Sequence, residues 1–130
     1  MAVRLFEEAR YCFAYGQFLA TIVLGFAYIE HTLASLLYMS GRDEAERARA
    51  SDLLKQALDR GLINETEFDN LDRARGIRNS VAHFQPLAGG DHEEMLRRVV
   101  RKSPLGYAVI EQDARHVMAT ALRLIDMTGG

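Results

Sequence analysis

The sequence predicts an all-α protein, an up-and-down bundle of four or five helices. Three observations point that way. Apolar residues such as Leu53, Leu54, Ala57 and Leu58 recur at helical spacing and not in strand alternation. Glycine stops and a capping signal interrupt that pattern and restart it. The joints between periodic segments are short, which favours antiparallel neighbours.

Residues 3–38 read as one long helix, or as two joined near Gly16, closed by Ser40 and Gly41. A second helix over 44–60 carries Ala48, Leu53, Leu54, Ala57 and Leu58 on its apolar face and stops at Gly61. Asn64, followed three residues on by Glu67, has the form of a capping box. A third helix therefore starts at Glu65 and runs to about Phe84, with Pro86 guarding its end. Residues 87–90 make a turn, and 91–102 a short helix carrying Arg97, Arg98, Arg101 and Lys102. Ser103-Pro104-Leu105-Gly106 breaks the pattern. Residues 107–110 could be extended and pair with Val99 and Val100, giving a small hairpin near residues 98–110. The last helix, 112–127, is expected to bury Val117, Met118, Ala121, Leu122 and Ile125.

At 130 residues, 48% apolar and 26% charged, the chain reads as a single globular domain over 1–130 and not as a disordered segment. A net charge of -2 offers no global attraction for nucleic acid, so any such contact must come from a local patch. Cys12 is the single cysteine, which excludes an internal disulfide and a Cys-rich zinc site and fits a reducing cytoplasm. Residues 11–29 carry no charge, yet their length is marginal for a bilayer. Gly16, Gln17, Thr21 and three tyrosines dilute the stretch, so it is read as the central buried helix of a bundle with no membrane partner. A basic start and a small-residue cleavage site are both missing, so a signal peptide is not expected.

The third predicted helix holds the unusual residues. At roughly 100° per residue, Leu71, Ala74, Ile77, Val81 and Phe84 fill one apolar arc. Asp72, Arg75, Asn79 and His83 form a narrow polar stripe away from it, with Arg78 on the border between the two. Asn79 and His83, four apart, share a face. Arg78 and His83 are five apart and point about 140° from each other in an ideal helix. One straight helix does not converge all three. A distorted helix end near Pro86 or a second copy of the helix, brought in by a two-fold axis, would.

Arg78-Asn79-Ser80-Val81-Ala82-His83 resembles the Arg-x4-His motif of the HEPN superfamily, including the asparagine favoured after the arginine. The small helical layout is similar as well. The resemblance implies a HEPN-like bundle that acts as a homodimer, with the motif helices of two subunits facing each other. It further implies metal-independent cleavage of RNA, with no cofactor. His83 would be general base or acid, Arg78 would hold the scissile phosphate, and Asn79 would orient His83 or bond the phosphate. Glu30 matches the acidic residue that members carry in an earlier helix, and Asp72 and Arg75 are supporting residues. Toxin and phage-defence roles, with an antitoxin or regulatory protein as partner, are common among such proteins. In one toxin branch, paired with a nucleotidyltransferase antitoxin, a tyrosine stands two residues after the histidine; Gln85 holds that place here. Other members are non-catalytic binding or regulatory modules, which is the alternative reading.

Other chemistry is less well supported. Asp113 and His116 have the i, i+3 spacing of a di-iron half-site, but no second copy exists, so no metal is expected. His31 on an apolar helix reads as a satisfied interior histidine, and His92 as the charged first turn of a helix. Arg97, Arg98, Arg101 and Lys102 could hold an RNA backbone if they border a cleft; a solvated basic face is the plainer reading. Ser51 and Ser80 lack triad partners, and there is no phosphate-binding glycine loop.

Overall fold

A computed structural model of the chain describes residues 2–39, 41, 49–82 and 106–127. Five helices account for almost all of them: α1 (Ala2–Ala14), α2 (Phe18–Met39), α3 (Ala50–Asp59), α4 (Glu65–Ala82) and α5 (Gly106–Met127). No strand occurs among the described residues, and the architecture is an all-α bundle. The helix predicted over 91–102, with its basic residues, lies outside the described residues, as do 83–84 and 42–48.

The first predicted helix is two. At Gly16 the backbone takes φ 75°, a left-handed conformation that costs glycine little. The Gln17 amide donates back to the Cys12 carbonyl at 2.8 Å, which closes α1. Across this turn the Phe13 and Phe18 rings pack at 5.6 Å and fix the angle at which α2 leaves.

Helix α2 is the centre of the bundle. It packs against all four other helices, while α1 also meets α5, α3 meets α4, and α4 meets α5. Its buried residues are Thr21, Ile22, Gly25, Phe26, Tyr28, Ile29, Thr32, Leu33 and Leu37. Thr21 is satisfied in the core because its hydroxyl donates to the Gln17 carbonyl at 2.8 Å. Gly25 permits close approach: a Cβ there would stand 2.8 Å from Val117 Cγ1 of α5. By length and composition α2 could also cross a membrane, with a mean hydropathy of 1.4 over its most apolar window, 44% of which is buried inside the bundle.

Helix α3 buries Ala50, Leu53, Leu54 and Ala57, the periodic residues of its sequence. Helix α4 starts with the predicted reciprocal cap. The Asn64 amide donates to Glu67 Oε1 and the Glu67 amide to Asn64 Oδ1, each at 2.8 Å. Leu71 and Ala74 are then fully buried, and Ile77 and Val81 pack half-buried against the same core.

Helix α5 corrects two expectations. Residues 107–110 are not extended: Gly106–Met127 is one helix, which removes this arm of the hairpin proposed near 98–110. The β-branched and aromatic residues at Tyr107 and Val109 look strand-like locally. Ile110, however, continues the inward stripe of Ala114, Val117, Ala121 and Leu124 at helical spacing, and burying that stripe outweighs local preference. The same register turns Leu122 outward, 53% exposed, where the sequence predicted it buried. His31, expected in the interior, is exposed.

Candidate functional site

Residues 78–82 of the motif form the last turns of α4, where Arg78 meets Phe26 of α2. Arg78 is half-buried. Its guanidinium carbon lies 5.2 Å from the centroid of the Phe26 ring, which is itself only 1% exposed in the core. The Nε of Arg78 is shut off from solvent and has no hydrogen-bond partner among the described residues. The predicted border position thus resolves into a cation over an aromatic face.

Asn79, one residue on, is half-buried and turned about 100° from Arg78 around the helix. Ser80 is exposed, and its hydroxyl donates to the Gly76 carbonyl at 3.0 Å, a local contact that leaves it no catalytic base. His83 lies outside the described residues, as do Arg97, Arg98, Arg101 and Lys102. The structure therefore brings together Arg78 and Phe26, leaves Asn79 on a neighbouring face of α4, and bears on no contact of His83.

Asp72 and Arg75 are committed to each other. Arg75 donates from Nε to Asp72 Oδ1 at 2.9 Å, and its Nη2 lies 2.9 Å from the same oxygen. Both side chains remain partly exposed, so this pair sits at the edge of the polar stripe. Glu30 is half-buried on α2, four residues after Phe26 and on the same face of that helix. No ion pair joins it to Arg78 among the described residues.

His116 links two helices. His116 Nε2 lies 3.1 Å from the Asn70 carbonyl oxygen of α4. A carbonyl only accepts, so Nε2 carries the proton and the bond ties α5 to α4. Burial pushes the Asp113 carboxyl above its ordinary range, partly offset by the nearby Arg73 and His116 charges. Among the described residues no group of three or more His, Cys, Asp or Glu could hold a metal ion.

The cavity between α4 and α5 lies elsewhere. Glu67, Asn70, Leu71, Thr120, Arg123, Leu124 and Met127 line about 20 Å³, room for one water. Its α4 residues are two to three turns from Arg78 along the helix, so it is separate from the motif.

No protein-family model, curated protein or solved structure matches the chain.

Sequence reasoning missed Phe26. One signal pointed to it: Phe26 stands four residues before Glu30, the acidic residue assigned to the site, and so shares its helix face.

Proposed function

We propose that this chain is a HEPN-like, metal-independent endoribonuclease whose active site forms where the α4 helices of two copies meet. The observation that carries the reading is Arg78-Asn79 in the last turns of α4 of a small all-α bundle, with His83 following Asn79 by four residues in the sequence. The half-buried Arg78, held over Phe26, supports it further, because an arginine set against an aromatic face is preorganised to meet an anion.

The chemistry is transesterification. The 2′-oxygen of one ribose attacks the adjacent phosphorus, forming that bond as the bond to the 5′-oxygen breaks. A base takes the 2′-hydroxyl proton, and an acid supplies one to the leaving 5′-oxygen. The products are a 2′,3′-cyclic phosphate and a 5′-hydroxyl. His83 serves as base or acid, since an imidazole titrates near neutral pH. Arg78 stabilises the charge that builds on the phosphoryl oxygens. Asn79 orients His83 or bonds the phosphate. Arg97, Arg98, Arg101 and Lys102 supply the local positive patch that the net charge does not. The protein acts in the cytoplasm, under the control of an antitoxin or regulatory partner.

The alternative is a non-catalytic HEPN-like module that engages a protein or RNA partner, in which the same Arg78–Phe26 contact only packs α4 against α2.

Cleavage of a mixed-sequence labelled RNA in excess EDTA separates the two. The nuclease gives cyclic-phosphate ends, and His83→Ala lowers its rate by at least about a hundredfold. Equal inertness of wild type and variant, both folded, selects the binding module.

A further inference from the structure

We infer that Phe26 is a positioning residue of the proposed site: its ring fixes the plane of the Arg78 guanidinium so that the terminal nitrogens, end-on, receive the RNA phosphate. The inference rests on the ribonuclease reading of Arg78.

Three observations carry it. Among the described residues the Arg78 guanidinium has no hydrogen-bond or ion-pair partner, and the contact it makes there is with the Phe26 ring, 5.2 Å from its carbon. Nε is closed to solvent although the residue as a whole is only half-buried. A side-on grip through Nε and one terminal nitrogen is therefore blocked, and the terminal pair is what a phosphate can reach. Finally, Phe26 cannot drift, because it is 1% exposed on the helix that all four others pack against. A flexible arginine is thereby held with less rotamer entropy left to lose on binding.

Glu30 does not compete for this role. It shares the α2 face of Phe26 but makes no ion pair with Arg78 among the described residues. The guanidinium is oriented by the ring and remains unneutralised by a carboxylate there.

The test is a double-mutant cycle on RNA cleavage with Phe26→Met, Arg78→Lys and the pair. Methionine fills the space flexibly but removes the aromatic face. Phe26→Met is expected to lower kcat about tenfold, the scale of a desolvated cation–π contact, with KM within about twofold. In the Arg78→Lys background the same change should cost less than about twofold, because a point-charge ammonium lacks the planar fork that the ring orients. An equal loss in both backgrounds, or none in either, overturns the inference: Phe26 is then only core.

A measurement on the wild type needs no variant to fold. The Arg78 Hε resonance should be shifted upfield by the ring and exchange slowly with solvent. An unshifted, fast-exchanging Hε overturns the geometry outright. A shifted Hε in a protein that neither cleaves nor binds RNA instead overturns the ribonuclease reading, and the positioning role with it.

Discussion

Two arginines lie over phenylalanine rings at the same distance, 5.2 Å, and they do different things. Arg115 of α5 reaches over Phe13 from the surface, and its Nη2 also donates to Glu111 at 3.1 Å. Its side chain is 63% exposed, so water and salt compete for each of those contacts. Arg78 meets a core ring, keeps Nε out of water and has no carboxylate partner among the described residues. The distance is equal; the solvent is not. On the proposed reading, desolvation turns a replaceable surface contact into a fixed orientation, and the lack of a carboxylate partner among the described residues leaves that arginine its charge for a ligand.

Losing both guanidinium groups in turn should separate the sites most sharply. Arg78→Ala is expected to lower RNA cleavage by about 10²–10³-fold, the usual cost of removing one preorganised donor to developing charge. Arg115→Ala should leave the rate within about twofold. Comparable effects of the two in a single-turnover assay would erase the distinction between the two arginines.

The rings come next. Phe26→Ala opens a cavity in the core and should cost about 3–4 kcal/mol in urea unfolding, whereas Phe13→Ala, at a partly buried site, should cost about 1–2 kcal/mol. A Phe13 variant as damaging as the Phe26 variant would show that α1 is anchored as deeply as α2.

The smallest effect concerns Asp113, two residues from Arg115 on α5. Burial raises its carboxyl pKa above the ordinary aspartate range. A raised carboxyl favours the fold below its unfolded pKa and loses that contribution as pH rises through the folded value. Asp113→Asn should therefore raise the Tm slightly at pH 7, and the gain should vanish near pH 3. Lower stability of Asp113→Asn at pH 7 would mean that the attraction to Arg73 and His116 outweighs burial.

Much of the fold was legible in local signals because those signals are local physics. The Asn64–Glu67 box involves groups three residues apart, and the turn at Gly16 needs only its own φ. The start of α5 was not legible. Tyr107 and Val109 favour a strand by themselves, and only the distant helices that bury Ile110 decide against it. The site divides in the same way. Arg78 could be placed on the border of the apolar arc from spacing alone. Phe26 lies fifty-two residues earlier on another helix, and the sequence hints at it only through Glu30, four residues on along the same helix face. The task of His116 was likewise not legible: the sequence showed only its i, i+3 spacing from Asp113, and its bond to the Asn70 carbonyl joins residues far apart in the chain.

The contact between Gly25 and Val117 has a consequence for how the protein is made. About ninety residues separate the two, so at roughly 5–20 residues per second the ribosome delivers α5 some 5–20 s after α2. Throughout that interval the most apolar of the described helices lacks the neighbour for which Gly25 makes room. During synthesis, before α5 exists to cover it, α2 offers chaperones and membrane-targeting factors a long apolar segment with a face still open.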